Sequence, residues 1–435
     1  MMNKIIICFL LVCANLFGFA QTNFYKTKKV IATFSLSFLL IVAGITKGQT
    51  AYITNEADAT VSVINVAADT VIATIPVGSG PEGISVSSDG TKVYIANFND
   101  NTVSIINTST NTVITTIPVG SGPLGLSVTP DGTKVYVANQ NASTISVINT
   151  FTNSVSNTIT VGGTPNGVFV SPDGTKAYVA GQSSGFVGVI NTAFDTVSYS
   201  IAVGFVPTGI FGNHDGSKVY VTDYFFDSVS VINTIADTVL ATVIVGLYPS
   251  GISVSPDGTK VYVANEDSGT VSVIDAATNI VSATIPVGSA PIGISVSPYG
   301  NKVYVANENS NTISVINTTT NTVTATIPVG ANPFAFGNFI SIYPSQVGVP
   351  SLNNESDSIT LYPNPANTVL KIHQSDNISY HQLIITDIMG NEVYKETING
   401  INNSIDVSDL SNGVYYWEMF SNDGILAHGK IAIEK

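Results

Sequence analysis

The chain has 435 residues, a net charge of −14 and no arginine, so that its 15 basic residues are all lysines. Five of those lysines and no acidic residue fall within residues 1–50, which leaves ten lysines against 29 acids in the remainder. A chain this acidic excludes nucleic-acid binding, which needs a basic footprint, and we expect no attraction to an anionic lipid surface either.

Residues 1–50 are predicted to be an N-terminal export region with two signal-like segments. Apolar runs at 5–20 and 30–45 each follow lysine and end near small residues, and each is shorter than the ~20 residues of a spanning helix. We interpret one run as the working secretory signal and the other as a redundant extension, with a retained membrane anchor as the alternative. Cys8 and Cys13 lie in the first run, so the exported chain should lack disulfides and thiol chemistry.

From residue 51 the sequence repeats with a fixed period of 42 residues. One set of marks is formed by Tyr52, Tyr94, Tyr136, Tyr178, Tyr220, Tyr262 and Tyr304. A second set, in a Gly-x-x-Pro step, is formed by Pro81, Pro123, Pro165, Pro207, Pro249, Pro291 and Pro333. A period of this length with strand-like sequence between the marks is typical of a repeat architecture. The tyrosines, each within a predicted second strand, are expected to pack between neighbouring repeats.

Each copy reads as four short strands. In residues 251–288, alternating apolar and polar residues, an Asp-Gly turn and runs of β-branched residues mark these strands. Four strands in about 40–45 residues predict a propeller blade. The array opens at Ala51 in a second strand and ends with a first strand. We therefore predict an all-β fold in which residues 51–342 form a seven-bladed β-propeller, closed by strand 333–342 completing the first blade.

The most regular copies contain Tyr-Val-Ala-Asn at residues 136–139, 262–265 and 304–307, with Ser-Pro-Asp-Gly-Thr-Lys before and Ile-Pro-Val-Gly after several of them. These motifs closely resemble the YVTN-type β-propeller repeat. The resemblance covers residues 51–342 and implies a surface-layer or secreted protein. It implies no catalytic residues, because the motif itself is structural.

Beyond the repeats, residues 343–358 have the composition of a linker, and residues 359–435 read as short strands of a small β-sandwich (Ig-like) domain. The predicted strands are Val369 to Ile372, Gln382 to Thr386, Glu392 to Tyr394, Gly413 to Met419 and Lys430 to Ile433. Leu-Tyr-Pro-Asn-Pro-Ala at 361–366, Asp-Ile-Met-Gly at 387–390 and Leu-Ser-Asn-Gly-Val-Tyr at 410–415 resemble the type IX secretion sorting domain. The resemblance implies the type IX machinery as a partner of 359–435, and release or attachment at the outer surface of a Gram-negative bacterium.

Residues that carry chemistry are scarce in the repeats. His214 is their only histidine and lies in an Asp-Gly turn, and no nucleophile elbow, phosphate loop or paired-acid motif is present. We therefore predict no catalytic, cofactor-binding or metal residues and no cofactor. Seven acids scattered over one face could suggest calcium, but calcium needs several oxygen ligands in one pocket, and solvated loop charges explain them. They are Glu56, Asp58, Asp100, Asp227, Glu266, Asp267 and Glu308.

The copies differ most in blades four and five, on the face formed by the loops after the second strands and by the connections between blades. Variable loops on a rigid scaffold are where function tends to lie. We predict one exposed aromatic patch with flanking acids that binds a glycan or a protein partner. The alternative is that about half of these side chains fill gaps between blades. The predicted patch residues are Phe186, Phe205, Asp223, Tyr224, Phe225, Phe226, Asp227 and Tyr248.

The sequence thus predicts a secreted or cell-surface scaffold that mediates binding or adhesion. Two alternatives stay open at this point. Seven-bladed propellers also include lactonases and quinoproteins, although the lack of arginine and near-lack of histidine weigh against an enzyme here. Near-identical blades would also suit a purely structural surface-layer protein.

Overall fold

The computed structural model describes residues 49–341 and, further along, 359–362, 366–374, 381–387, 392–398, 402–421 and 424–435. The predicted export segments 5–20 and 30–45 and the linker 343–358 lie outside the described residues. Within those that are described, no helix is long and apolar enough to cross a membrane. The chain divides into two compact units, Met1–Gly348 and Val349–Lys435.

The first unit is a ring of antiparallel blades, and the predicted propeller with seven blades is confirmed. Blade one contains Thr50–Asn55, Thr60–Asn65 and Thr70–Pro76. Blade two contains Pro81–Val86, Lys92–Asn97, Thr102–Asn107 and Thr112–Pro118, and blade three Pro123–Val128, Lys134–Asn139, Thr144–Asn149 and Ser154–Thr160. Blade four contains Pro165–Val170, Lys176–Gly181, Phe186–Asn191 and Thr196–Ala202, and blade five Pro207–Gly212, Lys218–Asp223, Ser228–Asn233 and Thr238–Ile244. Blade six contains Pro249–Val254, Lys260–Asn265, Thr270–Asp275 and Ile280–Pro286, and blade seven Pro291–Val296, Lys302–Asn307, Thr312–Asn317 and Thr322–Pro328.

Two faces follow from this strand order. We call the face where each second strand ends, and where successive blades are connected, the mouth face. The opposite face carries the turns between first and second strands and between third and fourth strands, and we call it the turn face. Two short 3₁₀ helices, Tyr224–Phe226 and Glu308–Ser310, lie on the mouth face after the second strands of blades five and seven.

The ends of the repeat array meet in blade one. Residues 333–341 run antiparallel along Thr50–Asn55, and the N–H of Tyr52 donates to the carbonyl of Phe339 at 2.9 Å. Within that segment Phe336–Asn338 also pairs, in parallel, with the first strand of blade two. The closing segment therefore supplies the innermost strand of blade one and also ties that blade to the next, a second pairing that the sequence did not predict.

The Pro-x-Gly step exists because the inner strands of neighbouring blades approach closely. A Cβ atom at Gly83 would lie 1.7 Å from the carbonyl oxygen of Leu124 in the next blade, a distance that no side chain tolerates. In the closing segment this position is occupied by Ala335, which has a left-handed backbone conformation with a φ of 47°. The inner strands leave a cavity of only about 40 Å³ on the axis, so the ring has a filled centre rather than an open pore.

The seven period-marking tyrosines are all fully buried, with at most 1% of their surface exposed. Tyr136 of blade three packs in one cluster with Val168 and Val179 of blade four, so the predicted position between blades is observed. Its hydroxyl donates to Asp195 at 2.5 Å, and Lys134 forms an ion pair with the same carboxylate at 2.9 Å.

The second unit is a two-sheet sandwich, as expected. One sheet contains Ile359–Tyr362, Val369–Gln374 and Asn402–Asp406, and the other Glu392–Ile398, His381–Thr386, Gly413–Ser421 and Gly424–Ile433. Leu370, Ile385, Trp417 and Ile431 form part of the apolar core between the sheets. The sequence missed the strands at Ile359–Tyr362 and Asn402–Asp406; both are short, and the second is rich in polar residues.

We expect Tyr136→Ala to lower the free energy of unfolding by about 3–5 kcal/mol, because truncating a buried aromatic ring leaves a cavity between two blades. Denaturant unfolding of the full chain measures this. A loss below about 1 kcal/mol would contradict the interblade role of the ring.

A pair of Tyr→Phe changes separates the hydroxyl from the ring. Tyr136→Phe should cost about 1–2 kcal/mol, because it removes a hydrogen bond to a charged acceptor. Tyr262→Phe is the matched control: the Tyr262 hydroxyl is buried without a hydrogen-bond partner, so its removal should cost nothing or stabilise the fold. Equal losses for the two variants in the same denaturant experiment would show that the Asp195 contact contributes nothing.

Candidate functional site

The mouth face carries a ring of seven side chains around the axis, one from each blade. We call the residues that directly follow the second strands the mouth ring: Glu56, Phe98, Gln140, Gln182, Tyr224, Glu266 and Glu308. Two pairs of adjacent side chains in the mouth ring form hydrogen bonds. The amide of Gln140 donates to Gln182 at 3.2 Å, and the hydroxyl of Tyr224 donates to Glu266 at 3.1 Å. Glu266, Glu308 and Glu56 are consecutive in the ring and form an acidic arc. This arc begins next to Tyr224.

Five of the predicted patch residues form one continuous cluster of rings, which we call the aromatic patch: Phe205, Tyr224, Phe225, Phe226 and Tyr248. Tyr224 stacks on Tyr248 with ring centroids 4.9 Å apart and an interplanar angle of 9°. Phe205 lies 6.2 Å from Phe225 and 6.3 Å from Phe226. Phe225 and Phe226 remain 54% and 60% exposed, so these rings present a surface and do not fill a gap between blades.

Local backbone geometry holds the patch in place. Tyr224–Phe226 forms a 3₁₀ turn that ends at Asp227 in the left-handed region, and the carboxylate of Asp227 accepts the N–H of Tyr248 at 2.9 Å. Val206 and Tyr248 have φ values of 58° and 55°, at the position that Gly80 fills in an earlier connection between blades. Ala290 and Asn332 adopt the same conformation in later connections, each with a φ of 51°, so the repeat itself imposes this backbone geometry, and the patch differs in the size of the side chains placed on it.

Three of the predicted patch residues need a different interpretation. Asp223 is fully buried beneath the patch and does not flank it. Its position holds asparagine in most blades, and because a carboxylate cannot donate, the hydroxyls of Ser228 and Ser230 donate to it instead. Burial raises the pKa of Asp223 to about 6, although these hydrogen bonds act against the increase. The carboxylate of Asp227 accepts the backbone N–H of Tyr248, so it positions the patch. Phe186 is exposed but makes no ring contact with the described aromatic residues.

Exposed apolar side chains also occur on the turn face, and the sequence analysis missed them. Phe151, Phe194 and Ile235 lie at the tips of the turns between third and fourth strands in blades three, four and five, with 94%, 76% and 86% of their surface exposed. Phe151 and Phe194 make no ring contact with any described aromatic residue. They are isolated side chains, whereas the aromatic patch is a contiguous surface.

The loop acids on the mouth face do not converge. Asp58 accepts the N–H of Ala331 and Asp100 accepts that of Ser79, both at 2.7 Å, so these carboxylates fix the connections between blades. In the part of the chain that the structure describes, no group of three or more histidine, cysteine or acidic residues is placed to hold a metal ion.

Glu82 is a further functional candidate, and the sequence analysis did not identify it. It follows the blade-two proline, a position occupied elsewhere by Leu124, Asn166, Thr208, Ser250, Ile292 and Phe334. Only 9% of its surface is exposed. Burial, followed by repulsion from Glu56 and Glu308, raises the pKa of Glu82 to about 8. The sequence did contain a signal for Glu82: it is an acid within a predicted strand, and the equivalent residue of every other copy is uncharged.

All six lysines of the described propeller lie far from this acidic arc. Each is the first residue of a second strand, whereas the mouth ring follows the last residue of the same strands, about 20 Å away. Lys134, Lys176 and Lys302 form ion pairs on the turn face. The mouth face therefore has negative charge without a neutralising lysine from the described propeller.

Comparison with known proteins supports the two-part organisation. Residues 360–434 match the family model of the secretion system C-terminal sorting domain, and residues 43–161 and 248–333 match that of the seven-bladed β-propeller lactonases. None of the curated proteins matches this chain.

Solved structures with the same fold have low sequence identity. Hydrazine synthase of Kuenenia stuttgartiensis is 23% identical with a TM-score of 0.58, and the match covers 62% of this chain and 93% of that chain. A functionally unknown protein of Desulfotomaculum acetoxidans is 18% identical with a TM-score of 0.59, and a candidate 6-phosphogluconolactonase of Bacteroides fragilis is 17% identical with a TM-score of 0.58. Each of these two matches covers 67% of this chain and 98% of the other. These similarities concern the fold alone.

The fold and the family matches define the class of protein: a seven-bladed β-propeller followed by a C-terminal sorting domain. Domains of this sorting family mark proteins that type IX secretion exports to the cell surface or outside the cell. The chain is thus a secreted or surface-located protein of a Gram-negative bacterium, and its sorting domain implies interaction with the type IX machinery.

We expect Glu82→Gln to stabilise the protein at pH 8.5 by about 2 kcal/mol or more, and to have little effect at pH 4. Because the pKa of Glu82 rises from 4.5 to about 8 on folding, its destabilising effect is absent below pH 4.5. The effect grows as the pH rises between these values and is complete above about pH 8. Urea unfolding at the two pH values measures the difference. A variant that is less stable than the parent at pH 8.5 would contradict the burial of an unpaired carboxylate.

Proposed function

We propose that the protein is a binding scaffold at the cell surface or in the surrounding medium, and that the mouth face of its propeller holds a glycan or protein partner. The observation that supports this most directly is the aromatic patch, a contiguous group of five rings in which all but Tyr224 are exposed. Contiguous exposed rings are costly in water, and on secreted proteins they typically mark an interaction site. Flat aromatic faces suit the C–H faces of sugars as well as protein side chains.

The side chains in the connections between blades provide further support for this proposal. Positive φ recurs at this position with Ala290 and Asn332 outside the patch, so the backbone conformation belongs to the repeat, whereas the bulky residues Val206 and Tyr248 lie beside the rings. The rest of the propeller is a regular repeat, which is what a scaffold for one variable surface requires.

A lactonase-type activity is the second candidate, and the match of residues 43–161 and 248–333 to the lactonase family model favours it. Glu82 lies at the mouth-face end of the first strand of blade two, has a pKa of about 8, and would be the candidate general base for such a reaction. Against this candidate, the acidic mouth face would repel phosphorylated or carboxylated lactones. Turnover of a panel of neutral lactones that falls with Glu82→Gln would support the enzyme over the scaffold.

The double variant Phe225→Ser/Phe226→Ser tests the scaffold. The full chain is presented to a glycan array and to fractionated cell-surface proteins, and each bound partner is then titrated. We expect the affinity to fall at least tenfold, because two exposed aromatic anchors are lost, and tenfold corresponds to about 1.4 kcal/mol. Tyr248→Gly should weaken binding as well, while leaving the fold equally or more stable.

The matched control is Phe151→Ser/Phe194→Ser, which removes two equally apolar rings from the turn face. Asp223→Asn provides a second control, since it alters the buried carboxylate beneath the patch without changing the surface. If the patch variant binds within twofold of the parent, or if the turn-face variant shows the larger loss, the proposed site is wrong.

A further inference from the structure

The rings of the aromatic patch do not lie in one plane. Tyr224 and Tyr248 are nearly parallel, with an interplanar angle of 9°, and Phe205 and Phe225 differ by 27°. Phe225 stands almost perpendicular to both tyrosines, at 76° to Tyr224 and 83° to Tyr248, with ring centroids 5.3 Å and 5.9 Å away. The patch therefore presents two sets of ring faces at a steep angle. A row of sugar units lying flat needs ring faces in one plane, and the patch does not provide them.

Carboxylates are attached directly to this group of rings. The hydroxyl of Tyr224 donates to Oε2 of Glu266 at 3.1 Å, and the backbone N–H of Tyr248 donates to Oδ1 of Asp227 at 2.9 Å. Because Tyr224 stacks on Tyr248, the two carboxylates border one ring pair. A carboxylate can accept about four hydrogen bonds, so each retains capacity for a ligand. Asp267, the next residue after Glu266, is exposed and adds a third negative charge to this border.

This border has no positive charge from the described propeller. Each of the six propeller lysines is the first residue of a second strand, about 20 Å from the mouth ring, and three of them form ion pairs on the turn face. The described acids are not grouped around one point at which a single ion would be held. Their charge is spread along the edge of the patch, which suits a partner that carries its cations along a segment.

We propose that the aromatic patch, with the carboxylates of Asp227, Glu266 and Asp267 at its border, binds an arginine-bearing segment of a protein. This inference rests on the proposed function and names the class of partner for the same surface. A guanidinium group is planar and weakly hydrated, stacks on aromatic faces and pairs with carboxylates, so it uses both kinds of group that the patch provides. Its aliphatic stem can lie along a second ring at a steep angle to the first.

Two other occupants fit this surface less well. A neutral glycan would contact the rings but gain little from the surrounding negative charge, and an acidic glycan would be repelled. A second copy of the chain supplies no arginine, because the sequence contains none. Charge complementarity therefore favours a basic segment of a different protein.

Ionic strength separates the contribution of the acids from that of the rings. Attraction between an acidic face and a basic segment accelerates association, and salt screens it. The association rate constant should therefore fall about tenfold as sodium chloride rises from about 0.02 M to about 0.5 M. The dissociation rate should change less, because contacts with the rings are not screened by salt.

Binding of the full chain to an array of random dodecapeptides and neutral oligosaccharides tests the class of partner. We expect arginine to be enriched about threefold or more among the bound peptides, because it alone combines ring stacking with a permanent charge. The peptide that binds best is then titrated by surface plasmon resonance. Replacing its arginines by citrulline, which keeps the shape and removes the charge, should weaken binding by about tenfold or more.

Two variants separate the rings from the charges. Phe225→Ser/Phe226→Ser should raise the dissociation rate of that peptide by about tenfold or more, because aromatic anchors are lost. Glu266→Gln/Asp267→Asn should slow association about threefold to tenfold and flatten its salt dependence, because two charges are lost. A glutamine at position 266 can still accept the Tyr224 hydroxyl, so the ring stack should stay in place.

The matched control is Asp58→Asn/Asp100→Asn, which removes two charges from loops of blades one and two on the same face. Asparagine keeps an acceptor oxygen for the N–H groups of Ala331 and Ser79, so the connections between blades should be preserved. Because these loops lie away from the patch, the affinity for the peptide should change less than about twofold at physiological salt.

The inference is overturned if the bound peptides show no enrichment of arginine, or if the citrulline peptide binds as well as the arginine peptide. It is also overturned if the control slows association as much as Glu266→Gln/Asp267→Asn does. Its failure is distinguishable from failure of the scaffold. Neutral oligosaccharides that bind the parent but not Phe225→Ser/Phe226→Ser, without arginine enrichment, would contradict the basic partner and keep the patch as a binding surface. Binding of every probe unchanged by Phe225→Ser/Phe226→Ser would contradict both.

Discussion

The close approach of neighbouring inner strands is the constraint on which the rest of this structure depends. Gly83 and its counterparts allow the backbone of each blade to touch the next, and this contact leaves only a small cavity on the axis. With the strands fixed so tightly, the residue before each glycine is directed towards the axis, and the second strands deliver one side chain each to the mouth ring. The period of the sequence thus becomes a ring of seven equivalent positions, at which differences between copies become differences in surface chemistry.

Much of this was predictable because the repeat is strict. The tyrosines, the prolines and the Asp-Gly turns recur at one spacing, and strand sequences between them leave a seven-bladed ring as the architecture. The aromatic patch was also predictable, since Phe205 and Phe225 interrupt otherwise polar loop positions. Asp223 was not, because a loop-like Asp in the sequence ends a strand in the structure, where it replaces a buried asparagine. Glu82 was missed for a related reason: which strand residues face the axis depends on how closely the blades pack, and that distance is not encoded in a single copy.

The propeller separates charge between its two ends. Lysines begin the second strands and hold the turn face together through ion pairs with Asp69, Asp195 and Asp237. The mouth face has acids alone, next to an exposed group of aromatic rings. The mouth face carries an acid without a cation partner and a contiguous exposed aromatic surface, whereas the exposed apolar side chains of the turn face are isolated. Such a division is typical of a scaffold that carries a functional surface.

Hydroxyl-radical footprinting of the full chain tests the central claim that the mouth face is the binding face. The protein is compared free and bound to the glycan or protein partner found in the binding assays. Both faces carry exposed aromatic residues, so each serves as a reference for the other. The account predicts that binding protects Phe205, Phe225, Phe226 and Tyr248, whereas Phe151 and Phe194 keep their reactivity. Protection of Phe151 and Phe194 with unchanged reactivity of the aromatic patch would contradict it.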